Sequence, residues 1–148
     1  MVSVVFYKKT VPLLLSLSLS VLSLTAQAEL LISDAWVRAV PPNSSATAAY
    51  FTLTNHGESD EVVVAARTKV AGSAEMHDFE VRDDGVKRMV HLHEVIVAAG
   101  TEVRFQSGGK HMMLMQLDPV PAVGDSVQLC LMTKAKVDVC TDAIVRHP

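Results

Sequence analysis

The sequence predicts a single all-β domain, a sandwich or barrel, and three observations support this. From residue 30 onward, short segments of alternating or β-branched apolar residues are separated by turn residues at the spacing typical of such folds. No stretch carries a helical period of 3.6 residues. The chain has 148 residues, the length of one domain, and contains no internal repeat or interdomain linker.

The N-terminus is predicted to be a targeting segment and not part of this fold. Lys8 and Lys9 form a positive n-region, residues 11–24 an apolar h-region, and residues 26–28 (AQA) a cleavage site. Together they are typical of a secretory signal peptide. We therefore divide the chain into a signal peptide, residues 1–28, and an exported domain, residues 29–148. The h-region falls short of the about 20 residues of a membrane span. With no cysteine near the cleavage point, we expect no lipid anchor.

The charge of the exported domain limits its partners. Cleavage removes Lys8 and Lys9 but no acidic residue, which changes the formal net charge from −3 to −5. A modestly acidic surface without a basic stripe argues against nucleic acid and anionic membrane as partners. No hydrolytic triad, phosphate-binding loop or pair of carboxylates stands out, so we do not expect an enzyme.

Three predicted strands open the domain, at residues 30–40, 46–54 and 62–66. The first contains the only tryptophan, Trp36, which we expect in the core or at its rim. In the second, Ala49, Phe51 and Leu53 share one face and polar residues largely take the other, the pattern of a half-buried strand. The third is nearly all apolar, which predicts a strand covered on both faces.

A β-hairpin is predicted next, with arms at residues 74–81 and 86–97 and a turn at residues 82–85 (RDDG). Two registers are open. A loop of residues 83–85 would place His77 opposite His91, whereas a loop of residues 82–84 would place His77 opposite Met89. Either register brings an imidazole and a thioether within cross-strand reach, because opposed Cβ atoms lie about 4.5–5.5 Å apart.

The remaining predicted strands are residues 102–106, 109–117, 126–132 and 137–145. In the last hairpin, centred on Ala135, Cys130 falls directly opposite Cys140. Disulfides fit Cα separations of about 4.4–6.8 Å, and an exported protein is in an oxidising compartment. We predict a Cys130–Cys140 disulfide; the alternative is a reduced pair acting as an auxiliary thiolate metal site.

Histidine and methionine are concentrated in one part of the chain. Five of the six methionines after the signal peptide and four of the six histidines lie between residues 76 and 115. A core uses methionine as filler but has no reason to collect histidine with it. In a strand His111 and Met113 point to the same face and Met112 to the other. Imidazole and thioether ligands suit Cu(I) far better than Mg²⁺, Ca²⁺ or Mn²⁺, so we predict a soft-metal site.

The spacing of these residues resembles a known ligand signature. His77, eleven residues, Met89, twenty-one residues and His111-Met112-Met113 are similar to the signature of the periplasmic copper chaperones of the PCu(A)C family. The resemblance extends over nearly the whole exported domain, through residues 35–39 (AWVRA), 41–42 (PP), 48–55 (AAYFTLTN), 108–115 (GGKHMMLM) and 123–127 (VGDSV). One departure is that Asp78 stands at the signature's optional methionine. If that position is not counted, the gap between His77 and Met89 is one residue longer than in the signature. The extra residue could shift the register of the hairpin and let His91 compete with Met89 as a ligand.

The resemblance implies a cupredoxin-like Greek-key barrel or sandwich that binds Cu(I) in the periplasm and delivers it during assembly of the CuA centre of cytochrome c oxidase. The implied ligands are His77, Met89, His111 and Met113. The implied acceptor is oxidase subunit II or a thiol-containing assembly factor. Three further residues are candidate accessory ligands: His91 and His93, for Cu(II) if they are not simply exposed, and Met115, if it does not pack behind the site.

Other functions are weighed against a copper carrier. A cupredoxin electron-transfer protein needs a cysteine, two histidines and a weak axial methionine, but no suitably spaced histidine and methionine follow Cys130 or Cys140. A thiol oxidoreductase is disfavoured because no C-x-x-C is present. Two alternatives remain open: a copper-tolerance or storage protein, and a β-sandwich binding module whose methionines are all core.

Overall fold

The computed structural model describes residues 30–148. That part of the chain contains ten β-strands and no helix, which confirms the all-β prediction. The strands are β1 Leu30–Arg38, β2 Ala46–Asn55, β3 Glu61–Thr68, β4 Ala71–Val81, β5 Lys87–His91, β6 Val95–Val97, β7 Glu102–Phe105, β8 His111–Leu117, β9 Ser126–Thr133 and β10 Asp138–Arg146. No helix able to cross a membrane occurs within these residues. The predicted signal peptide, residues 1–28, lies outside the described part of the chain.

Hydrogen bonds connect the ten strands into one sheet, in the order β5-β4-β8-β2-β1-β10-β9-β3-β6. Strand β7 lies off this path and pairs with residues 51–54 of β2, while β8 pairs with residues 46–49 of the same strand. Strands β1 and β10 run parallel, and the other strand pairs are antiparallel. The order places β5, β4 and β8 side by side, and these are the strands that carry the predicted copper ligands.

The inner faces of the strands form one hydrophobic core. In β10, Val139, Ala143 and Val145 are buried and their neighbours in the chain are exposed. Leu53, Leu114, Leu129 and Leu131 from β2, β8 and β9 have no exposed surface. Alternate residues of a strand point to opposite sides. The outer faces of β4, β5 and β8 are therefore not part of this core and are free to carry a site.

The prediction of one continuous arm at residues 86–97 is wrong. Strand β5 ends at His91, and the chain then leaves β4 so that β6 pairs with β3. Val95 and Val97 are buried in the core, at 4% and 0% exposure. Burial of these two valines requires β6 to turn inward, so His93 lies in the bend between β5 and β6 and not on the strand face.

Strand β2 is buried on both faces near its middle, which exceeds the predicted half-burial. Tyr50, on the face expected to be open, is only 6% exposed. The Trp36 ring lies 4.6 Å from the Tyr50 ring between centroids, and the Arg38 guanidinium carbon lies 5.5 Å from the Tyr50 centroid. These two side chains of β1 cover the outer face of β2, and the half-buried Trp36 is a rim residue.

Candidate metal centre

Strand β8 directs His111 and Met113 to the outer face and packs Met112 into the core. Met112 has no exposed surface and is the cross-strand partner of Met76, which is also buried. Met113 is half-buried on the other side. His111 shares that side, where neighbouring side chains leave it 5% exposed. This division of the three residues is the one that strand alternation predicts.

Strand β4 aligns histidines from both neighbouring strands. His77 is the cross-strand partner of His111 on β8 and of His91 on β5. Directly opposed residues of an antiparallel pair point to the same side, so the three imidazoles form a row across β8, β4 and β5. The His77 ring centroid lies 5.9 Å from that of His111 and 5.4 Å from that of His91.

The turn between β4 and β5 adopts the first of the two predicted registers. The Gly85 N–H donates to the Arg82 carbonyl at 2.8 Å, and the Arg82 N–H donates to the Val86 carbonyl at 3.1 Å. Gly85 has a φ of 78°, which glycine adopts without a steric penalty. His77 therefore pairs with His91, and Met89 pairs with Phe79.

Met89 nevertheless reaches across β4 to His111. Its Sδ lies 3.3 Å from His111 Nε2, while His111 Nδ1 lies 2.8 Å from the Gly109 carbonyl oxygen. A carbonyl oxygen only accepts a hydrogen bond, so Nδ1 carries a proton, and in the neutral ring Nε2 then holds the lone pair. A thioether sulfur has no proton to donate. Two lone-pair donors thus face each other, which is the geometry expected of two ligands of one soft ion.

His77 is held neutral next to this pair. It is 8% exposed, and burial lowers the pKa of its imidazole below the ordinary value; the Glu75 carboxylate opposes this shift, and His91 and His111 add to it. Within residues 30–148 its buried Nδ1 has no hydrogen-bond partner, and its Nε2 lies 3.5 Å from a Glu75 carboxylate oxygen. Neutral imidazole is the form that binds metal ions. The unpartnered Nδ1 therefore fits a ligand nitrogen.

Three of the four predicted ligands line one open cleft. Its walls are Arg38, Ala48, Tyr50, Phe79, Met89, Ser107, Gly108, His111 and Met113. Met89 is 45% exposed at the mouth of the cleft, whereas His111 is buried at its base. His77 does not line the cleft and lies beside His111 on β4. An ion held by these side chains would be reached from solvent on the Met89 side.

Sequence reasoning did not identify Glu75 and Arg38 as neighbours of this site. Glu75 is the cross-strand partner of Met113, and Arg38 donates to the Ser107 hydroxyl at 3.1 Å across the cleft. The signal for Glu75 was its position two residues before His77, which puts both side chains on one face of a strand. Arg38 had no local signal, because β1 meets the loop before β8 only in the folded chain.

Asp78, at the signature's optional methionine, forms an ion pair beside the site. Its carboxylate accepts from Lys110 Nζ at 2.8 Å and from the Phe79 N–H at 2.8 Å. Burial alone would raise the pKa of the Asp78 carboxyl, but these hydrogen bonds together lower it below its ordinary value. The ion pair of Asp78 with Lys110 thus links β4 to the segment before β8 and balances the charge of the carboxylate.

The three predicted accessory ligands, His91, His93 and Met115, lie around the proposed ligands and do not line the cleft. His91 is exposed next to His77, and the His93 ring lies 4.6 Å from that of His91. Met115 lies one alternate position beyond Met113, opposite Ser73 and Ala46. Among residues 30–148 no three histidine, cysteine or acidic side chains are arranged to hold an ion.

The cysteines lie apart from this cluster. Cys130 on β9 and Cys140 on β10 are cross-strand partners joined by a disulfide, with Cα atoms 4.1 Å apart. Strands β2, β1 and β10 separate β8 from β9 in the sheet. No cysteine is free in the described part of the chain, so no thiolate adjoins the histidine and methionine side chains.

Comparisons with known proteins agree with this architecture. The family model described as "Putative lipoprotein LpqE-like" matches residues 30–145. "Putative lipoprotein Lxx21020" of Leifsonia xyli subsp. xyli (strain CTCB07) is 31% identical over 101 residues, which are 68% of this chain and 59% of that protein. This chain therefore spans less than two thirds of that relative's length.

Solved structures share the fold. The copper-bound PCuAC domain from PmoF2 has a TM-score of 0.68 at 18% identity, over 84% of this chain and 97% of that domain. The solution structure of CuI-DR1885 from Deinococcus radiodurans has a TM-score of 0.58 at 31% identity, over 78% of each chain. The predicted resemblance to the PCu(A)C family and the predicted cupredoxin-like fold are confirmed.

Fold and site together define a class: a cupredoxin-like β-sandwich with a cluster of histidine and methionine side chains on the outer face of β4, β5 and β8. The family model that matches residues 30–145 identifies the family within this class. The chain belongs to the LpqE-like family of putative lipoproteins.

Proposed function

We propose that this chain is a copper chaperone that binds Cu(I) through His77, Met89, His111 and Met113. The observation that carries the proposal is the 3.3 Å approach of His111 Nε2 to Met89 Sδ, while His111 Nδ1 lies 2.8 Å from the Gly109 carbonyl oxygen. Copper-bound structures among the similar domains support the choice of metal.

The donor set favours Cu(I) over other ions. Two thioethers and two neutral imidazoles are soft to borderline ligands, and they leave the charge of the ion uncompensated, which suits a monovalent cation. Glu75 is the nearest acidic side chain to His77, at 3.5 Å. Its negative charge stabilises bound Cu⁺ without coordinating it.

The position of Met89 suits transfer. A carrier must release its ion, and neutral thioethers on an exposed strand exchange more readily than buried thiolates. Met89 is 45% exposed on β5, while His111 is 5% exposed. An acceptor therefore meets the ion on the Met89 side, where it displaces that thioether first and the buried histidines last.

The proposed setting is the periplasm, after cleavage of residues 1–28, and the proposed role is binding and delivery without catalysis. The acceptor is oxidase subunit II during assembly of its CuA centre, or a thiol-containing assembly factor. Copper tolerance or storage is the competing role, because the same ligands would serve it.

A Cu(I) competition experiment tests the binding step. Reduced protein is titrated with Cu(I) against a colorimetric chelator, for the wild type and for His111→Ala and Met113→Leu. We expect the wild type to compete and each variant to bind at least about tenfold more weakly. Met112→Leu is the matched control, because this volume-conserving change lies one residue away on the core face and should leave the affinity unchanged.

The outcomes of this experiment separate the candidates. Wild-type protein that does not compete would favour a β-sandwich module without a metal, and unchanged affinity in both variants would exclude the proposed ligands. Delivery is tested by mixing Cu(I)-loaded protein with the apo-CuA domain of oxidase subunit II, separating the two proteins and measuring the copper bound to each. Binding without transfer to that domain or to a thiol-containing factor would favour storage.

A further inference from the structure

Two histidines outside the proposed Cu(I) site form a pair of their own. His91 is the last residue of β5 and His93 lies in the bend that follows, and both side chains are exposed. Their ring centroids are 4.6 Å apart with an interplanar angle of 89°. The single residue between them, Leu92, is fixed by its N–H, which donates to the Met76 carbonyl at 2.8 Å. This hydrogen bond fixes the backbone between the two histidines and so keeps their rings side by side.

The separation of the rings matches that of two imidazoles on one metal ion. Metal–nitrogen bonds to imidazole are about 2.0–2.1 Å, so two rings that share an ion at an angle of about 90–110° have centroids roughly 4.5–5.3 Å apart. The 4.6 Å spacing of His91 and His93 falls within this range. The pair therefore already has the ring spacing that a shared ion requires.

The chemistry of the pair differs from that of the proposed Cu(I) site. It offers two imidazole nitrogens and no sulfur, and its exposure leaves the other coordination positions to water. Nitrogen and oxygen ligands in an open, adaptable arrangement suit Cu(II), which binds such ligands more tightly than the other divalent first-row metals.

We propose that His91 and His93 form a second copper site, which binds Cu(II) from solution. The site shares no ligand with the proposed Cu(I) site and does not depend on it. It adjoins that site through His77, whose ring centroid lies 5.4 Å from that of His91. Copper is thus held at the exposed end of the histidine row, next to the buried residues that would bind Cu(I).

Direct Cu(II) titration tests this proposal. Aqueous Cu(II) is added to the full chain with glycine as competitor, and binding is followed by calorimetry and by electron paramagnetic resonance. We expect the wild type to bind one Cu(II) with nitrogen hyperfine structure, and His91→Gln/His93→Gln to bind on the order of tenfold more weakly or worse. The matched control is His56→Gln/His147→Gln, which also removes two exposed histidines but should bind as the wild type does.

Two further measurements keep the two copper proposals separate. Met89→Leu/Met113→Leu should retain the Cu(II) site, and His91→Gln/His93→Gln should retain wild-type Cu(I) affinity in the chelator assay. Wild-type Cu(II) affinity in His91→Gln/His93→Gln, or an equal loss in the control, would overturn the second site. A loss of Cu(I) binding alone in the methionine variant would leave it standing.

Discussion

Met112 and Met113 are adjacent in the chain and lie on opposite faces of β8. Met112 has no exposed surface and contacts the core, where Met76 is its cross-strand partner, while Met113 is half-buried on the outer face with His111. The same side chain therefore acts as core filler at one position and as a proposed ligand at the next. Strand geometry, and not residue type, decides between these roles.

This difference predicts unequal effects on stability. Met112→Ala should lower the free energy of unfolding by about 2–5 kcal/mol, because it leaves a cavity in the core. Met113→Ala removes partly exposed atoms and should cost about 1 kcal/mol. Urea denaturation of the copper-free protein measures both values. Similar losses for the two variants would contradict the assignment of the faces.

At the scale of the element, the β4–β5 hairpin brings the site together. It supplies His77 from one arm and Met89 from the other, and its register depends on the turn at Gly85. A left-handed residue is needed there, since Gly85 has a φ of 78°. A Cβ added at Gly85 would meet no atom within 4 Å, so backbone strain would be the sole energetic cost of a side chain there.

Gly85→Ala should therefore destabilise the protein by about 1–2 kcal/mol and weaken Cu(I) binding, because a strained turn loosens the arm that holds Met89. Gly100→Ala is the matched control: its φ is 66° and its added Cβ also meets nothing within 4 Å, but it precedes β7. Unfolding and chelator competition are measured on both. Equal Cu(I) affinities in the two variants would show that this turn does not position Met89.

At the scale of the whole molecule, the disulfide and the proposed copper ligands lie in different parts of the single sheet. The disulfide joins β9 to β10, while the proposed ligands lie on β4, β5 and β8. Cys130 and Cys140 do not line the cleft beside His111. Cross-linking and metal binding are thus properties of different parts of one domain.

Replacement of both cysteines should test this separation. Cys130→Ser/Cys140→Ser opens a loop with a sequence separation of 10, and the unfolding free energy should fall by about 2–3 kcal/mol. Cu(I) affinity should be unchanged. A large loss of Cu(I) binding would instead support an auxiliary thiolate site, as would thiol labelling of the wild type without prior reduction.

Local pattern alone predicted much of this protein. The period of two separates the face of His111 and Met113 from that of Met112, and the turn residues mark the ends of most strands. The pairing of Cys130 with Cys140 also follows from a short hairpin, because its register depends on residues close in the chain. These features are short-range, so a single sequence contains the information that determines them.

Long-range pairing decided the rest. Two registers of the turn at residues 82–85 were equally compatible with the sequence, and the folded chain adopts the one that pairs His77 with His91. Burial of Val95 against β3 ended β5 at His91, and the contact of Met89 with His111 spans β4. Such contacts depend on which strands become neighbours in the sheet. Burial of the whole core determines that order, and no local window of the sequence contains it.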